Sequence, residues 1–111
     1  MEVSIATNIR ATSQLIVNTE SLLKTAKGHA IFFDDPVKTQ RFHASYGMTK
    51  EAQICMARSW QEEGAASGIT VHIETPAPMP TATRARFYPG EDRGALTPCA
   101  KEAARLLSRL L

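Results

Sequence analysis

Two short apolar runs, His29-Ala30-Ile31-Phe32-Phe33 and Ile69-Thr70-Val71-His72-Ile73, are the segments of this chain that read as buried strands. Each follows a long stretch with helical spacing of its apolar residues, and a third such stretch closes the chain. Helix, strand, helix, strand, loop, helix is the alternation of a parallel α/β sheet with right-handed crossovers. A parallel sheet needs both faces covered and more than two strands. The pattern therefore predicts an α/β fold that is incomplete by itself.

The element boundaries follow from local signals. Residues 1–27 carry Ile5, Ile9, Ile16 and Leu23, with Leu15 and Leu22 alongside, and predict a helix. Gly28 is expected to terminate it in a left-handed conformation. The first strand covers 28–34 and stops at Asp34-Asp35-Pro36. A second helix over 43–63 is expected to bury Ala44, Met48, Ala52, Cys55, Met56 and Trp60, with Gly64 to Gly68 breaking it. The second strand covers 69–74. Residues 75–96 hold Pro76, Pro78, Pro80 and Pro89-Gly90, too many missing amide donors for a central strand, and predict a lid-like loop. Thr97-Pro98 then opens a helix over 97–111.

Composition excludes several classes of function. The chain has 111 residues, the size of one domain, and 13 Lys and Arg against 11 Asp and Glu, without a run of like charge. No phosphate-binding footprint exists, so nucleic acid is not expected as a partner. No apolar run approaches the roughly 18 residues of a membrane span, and Glu2 stands where a secretory signal carries a basic residue. Cys55 and Cys99 have no metal spacing, and free thiols fit the cytoplasm as the expected compartment. His29, His43 and His72 share no ligand spacing, and no metal site is expected. Arg84 and Arg86 read as solvated loop charges.

Tyr46-Gly47-Met48-Thr49-Lys50 places a phenol and an ammonium four residues apart, on one face of the second helix. A fixed ammonium favours the phenolate and brings a phenol toward the working range of a general acid and base. The order and separation of further residues extend this pair. Asn8 lies in Thr7-Asn8-Ile9-Arg10, and the strand 28–33 precedes Tyr46-x-x-x-Lys50. Pro76-Ala77-x-x-x-Thr81 follows the second strand, then Tyr88-Pro89-Gly90-Glu91-Asp92 and Thr97-Pro98. Over nearly its whole length the chain resembles the C-terminal half of a short-chain dehydrogenase/reductase.

That resemblance implies a partial Rossmann-like, doubly wound parallel fold of three helices and two strands, lacking the N-terminal dinucleotide-binding half, over a single truncated domain 1–111. It implies hydride transfer between NAD or NADP and a small alcohol or carbonyl substrate. Tyr46 would be the proton donor or acceptor, Lys50 would lower its pKa and hold the nicotinamide ribose, and Asn8 would support a water-linked proton path. Pro76 and Thr81 would meet the nicotinamide. Helices 2–26 and 43–63 would form a homo-oligomer interface as a four-helix bundle.

The chain also departs from the pattern. The family's serine, about a dozen residues before the tyrosine, is replaced by Asp34 or Asp35, with Asp34 taken as the catalytic-position residue. Ala77 replaces a turn glycine, and His72 and Glu74 stand where the strand has Asn and an apolar residue. The six glycines, at 28, 47, 64, 68, 90 and 94, form no G-x-G-x-x-G. The expectation is thus an oxidoreductase fragment inactive as an isolated chain. The alternative is a non-catalytic remnant serving as a dimerisation or regulatory partner.

Overall fold

A computed structural model describes residues 2–36, 38 and 43–111, in two compact units, Met1–Thr75 and Pro76–Leu111. The first unit is α/β. One continuous helix, α1, joins α-helix Glu2–Ser4, a π-helical segment Ile5–Arg10 and α-helix Ala11–Ala26. Then come β1 (His29–Phe33), α2 (Ala44–Ser67) and β2 (Thr70–Glu74). The strands pair in parallel, His29 opposite Thr70 and Phe33 opposite Glu74. The second unit holds α3 (Ala82–Phe87), a 3₁₀ turn Arg93–Ala95 and α4 (Cys99–Leu110). Among the described residues no helix is long and apolar enough to cross a membrane, and Cys55 and Cys99 are free and exposed.

The first unit builds its core on one face of the sheet. Trp60, Ile69 and Val71 are buried together, and Ile16, Leu23, Ala30 and Phe32 pack against them. Ala30 and Phe32 alternate along β1 and share their face with Val71, which is Ala30's partner in the register. Phe32 meets Trp60 edge to face, with ring centroids 6.3 Å apart. On the other face His29 Nδ1 and His72 Nε2 lie 2.9 Å apart. Their rings are 8° from parallel with centroids 5.2 Å apart. That separation is the N···N distance plus the two ring radii, so the rings meet edge to edge in one plane and share an N–H···N bond. The two nitrogens face each other and do not converge on a common point.

Several boundaries differ from the sequence expectation. Lys27, not Gly28, adopts the left-handed turn that ends α1 (φ 51°), and the Gly28 N–H closes on the Leu23 carbonyl at 2.8 Å. With the Lys27 N–H donating to the Lys24 carbonyl at 3.2 Å, that bond makes a Schellman cap displaced by one residue. Gly64 does not break α2. The helix runs through it to Ser67 and ends at Gly68 (φ 82°). A Cβ at Gly64 would stand 2.4 Å from the Ile69 carbonyl oxygen, so this glycine is there for close approach to the chain entering β2. The expected buried stripe of α2 is corrected too: Met48 and Cys55 are exposed, and Gly47, Thr49, Ile54, Ala57, Trp60 and Gly64 are buried. Steps of seven, three, three and four from Gly47 to Gly64 also describe a helical face, one that small residues make suitable for close packing. Residues 75–96 are not all loop, because Thr81 accepts from the Arg84 N–H and starts a short helix. Among the described residues there are therefore four helices where three were expected.

The second unit is tied together by polar side chains. The Arg84 guanidinium makes two bonds to Glu91, at 2.9 and 2.8 Å, and lies over the Tyr88 ring, 4.0 Å from its centroid. Arg84 is thus an internal strut and not a solvated charge. Arg93 donates to the Pro80 carbonyl at 2.6 Å. On α4, Glu102 and Leu106 are buried one turn apart. The Glu102 carboxylate accepts from the Ala77 N–H and from Arg105.

Candidate functional site

The expected chemistry gathers where α1 crosses α2. In α1 the π-helical segment adds a residue to one turn, and the Ala11 N–H reaches back five positions to the Ala6 carbonyl. π segments of this kind are frequent at functional sites. Asn8 lies in the widened turn, 9% exposed, and its Nδ2 donates to Thr49 Oγ1 at 3.0 Å. The fully buried Thr49 hydroxyl donates in turn to the carbonyls of Ser45 at 2.9 Å and Tyr46 at 3.1 Å. Asn8 is therefore fixed against the backbone of the turn that carries Tyr46.

Tyr46 and Lys50 occupy one face of α2, yet their polar atoms are engaged elsewhere. The Tyr46 hydroxyl donates to Asp35 Oδ2 at 3.0 Å. Burial, the Asp35 charge and this hydrogen bond, with Asp34 adding a smaller push, hold the phenol pKa well above its ordinary value. The Lys50 ammonium donates to Gln53 Oε1 at 2.6 Å. Burial lowers its pKa, opposed by the nearby charges of Asp34 and Asp35. Gln53 is itself oriented across the helix crossing, its Nε2 donating to the buried Thr12 hydroxyl at 2.9 Å.

The two aspartates after β1 divide their roles. Asp34 pairs with Lys38 at 3.1 Å, Lys38 also reaches Glu51 at 2.9 Å, and Asp34 Oδ1 accepts from the Asp35 N–H. The residue at the tyrosine is thus Asp35, whereas sequence spacing favours Asp34. Spacing also gives no sign of Gln53. An amide three residues after a lysine on a helix is its (i, i+3) neighbour, and that is the one signal available for it.

Pro76 and Thr81 belong to the second unit. The Thr81 hydroxyl is occupied as the N-cap of α3. Three of the chain's six glycines have other tasks: Gly28 closes the turn after α1, Gly64 packs on Ile69, and Gly68 caps α2. The turn after β1 is Asp34-Asp35-Pro36 and β2 leads into Thr75-Pro76, so neither strand feeds a glycine-rich turn into a helix. The Rossmann fold holds a dinucleotide's pyrophosphate on such a turn. Among the described residues the strand ends do not form that cradle.

Between α1 and α2 runs an open apolar groove of about 280 Å³, whose lining includes Ile16, Val17, Cys55, Met56 and Trp60. Leu15, Val17, Leu22 and Met48 are more than half exposed on the same two helices. Comparison with protein-family profiles, with curated proteins and with solved structures finds no match.

Proposed function

We propose that this chain is a short-chain-dehydrogenase-like module of the cytoplasm that associates through α1 and α2 and performs no hydride transfer by itself. The observation that carries this reading is the Tyr46–Asp35 hydrogen bond. A general acid and base at neutral pH needs a phenol brought down toward the working range, whereas a carboxylate acceptor stabilises its protonated form. The misfit of the glycines to a dinucleotide supports the same reading. The open apolar groove between α1 and α2, lined by Ile16, Val17, Met56 and Trp60, supports association, because an exposed apolar surface of this kind is commonly covered by a partner. A second copy of the chain is the proposed partner.

The test is titration with NADH and with NADPH, following energy transfer from Trp60, the chain's one tryptophan, with sedimentation of the same sample. The expected result is no saturable transfer and a dimer or larger assembly. Saturable binding overturns the catalytic half of the proposal, and a folded monomer at micromolar concentration overturns the association.

A second reading is favoured by Asn8, buried in a π segment and bonded next to the tyrosine turn. In it the chain is the substrate-side part of an NAD(P)-dependent oxidoreductase acting on an alcohol or carbonyl, with the dinucleotide cradle supplied by another segment or chain. Asp35→Ser would then gain carbonyl reduction in the presence of such a cradle. No gain in that variant removes this reading.

A further inference from the structure

We propose that Gln53 is a positioning residue that withholds the Lys50 ammonium from the Tyr46 phenol, so that the phenol, bonded to Asp35, is left without the cation that would favour its phenolate. Tyr46 and Lys50 are one helical turn apart, a spacing that lets an ammonium reach back toward the phenol. The ammonium instead makes its described hydrogen bond three residues further along α2, to Gln53 Oε1 at 2.6 Å. The amide has one carbonyl and one NH₂, and both are placed: the NH₂ donates to Thr12 of α1, so the carbonyl faces Lys50. Turning the amide over would set NH₂ against an ammonium, which has no acceptor to offer, whereas the Thr12 hydroxyl can either accept or donate. The Thr12 contact thus holds the Gln53 side chain at the helix crossing, and the ammonium selects its carbonyl oxygen.

Among the described residues, the charged and titratable groups around the pair come from two segments. Asp34, Asp35 and Lys38 follow β1, while His43, Lys50 and Glu51 lie on or just before α2. The groups that α1 sets at hydrogen-bonding distance, Asn8 and Thr12, are neutral. Two carboxylates thus hold the proton on Tyr46, and the one ammonium on its helix face that favours the phenolate is drawn off by an uncharged side chain. The step at issue is a proton equilibrium alone: the phenol O–H bond breaks, its electron pair stays on oxygen and the proton goes to water.

The inference rests on reading Tyr46 and Lys50 as a disarmed pair. Dinucleotide binding tests that reading and the following titration tests the Gln53 link, so each can fail without the other. The chain has two tyrosines, so Tyr88→Phe leaves Tyr46 as the one phenol whose ionisation is seen in ultraviolet absorbance. Asp35→Asn in that background should bring the Tyr46 midpoint down toward the ordinary phenol range. Adding Gln53→Leu should lower it further, with Tyr46 and Lys50 titrating as a coupled pair. Gln53→Glu keeps an acceptor for Lys50 and should give no such fall. Thr12→Val, which keeps Gln53 but removes its orienting hydroxyl, should move the midpoint in the same direction as Gln53→Leu by a smaller amount. The proposal is overturned if Gln53→Leu leaves the midpoint where Asp35→Asn put it, or if Gln53→Glu lowers it equally. If Gln53→Leu does not fold, an unchanged midpoint in Thr12→Val overturns it as well.

Discussion

Gly64→Ala separates two physical accounts of one residue by the sign of its effect. If Gly64 were a helix breaker, alanine would stabilise the chain, since glycine in a helix interior costs up to about 1 kcal/mol relative to alanine. The structure assigns it a packing role. A Cβ there meets the Ile69 carbonyl oxygen at 2.4 Å and the carbonyl carbon at 3.5 Å, both backbone atoms. Relief requires moving the entry to β2, where Ile69 is 3% and Val71 5% exposed, so the strand cannot give way without opening the core. Overpacking of this kind costs about 1–3 kcal/mol, and the propensity gain offsets at most about 1 kcal/mol near the end of a helix. The net expectation is a loss of roughly 1–2 kcal/mol. With a urea m-value on the order of 1 kcal/mol/M, the midpoint of unfolding followed by Trp60 fluorescence should fall by roughly 1–2 M. Gly90→Ala, with nothing within 4 Å of the added carbon and an ordinary φ, is the control and should leave the midpoint in place. A midpoint that rises in Gly64→Ala would refute the packing account.

Three further outcomes follow from the same structure. Asn8→Ala and Thr49→Val each remove a bond between buried groups and should cost about 1–2 kcal/mol. Their double-mutant cycle should show coupling of about 1 kcal/mol, and additivity within about 0.3 kcal/mol would dismiss the pairing. Trp60 Nε1 is buried without an acceptor. Trp60→Phe should therefore destabilise by no more than about 1 kcal/mol, because removing an unsatisfied donor offsets lost ring contacts; a cost near that of a full truncation, about 3 kcal/mol or more, would refute this. Arg105 holds the Glu102 carboxyl below its ordinary value of 4.5. A depressed folded-state pKa stabilises above the unfolded value and loses that contribution as pH falls through the folded one. α4 helicity, read by far-ultraviolet circular dichroism, should thus decline on acidification, and Glu102→Gln should flatten that limb; an unchanged limb would refute the role.

What was legible in the sequence was whatever local periodicity controls. The runs 29–33 and 69–73 announced β1 and β2 through β-branched and aromatic residues, and their parallel pairing followed from the helix between them. The helix in 75–96 was hidden because prolines at 76, 78 and 80 dominate the local signal, while Thr81 as N-cap is a weaker cue that decides the outcome. The buried stripe of α2 was misread because large residues draw attention to one face, and the face that packs is built on Gly47, Ala57 and Gly64. Size reports hydrophobicity, whereas close approach of a helix to a strand rewards the absence of a side chain.

The candidate site shows the same division between local and non-local information. That Tyr46 and Lys50 share a helix face was legible from spacing, since an (i, i+4) pair and its helix are local facts, whereas Asn8 came from the resemblance. Their state was not legible. Whether Asp34 or Asp35 meets the phenol depends on how the chain leaves β1, and Lys38 decides it by taking Asp34. Lys50 meets Gln53, and Gln53 is held by Thr12, 41 positions away, where α1 crosses α2. A spacing motif therefore identifies which groups are neighbours, and the residues that compete for their protons and lone pairs determine what the neighbours do. Here the competitors are two carboxylates and one amide, and all three act against a phenolate at Tyr46.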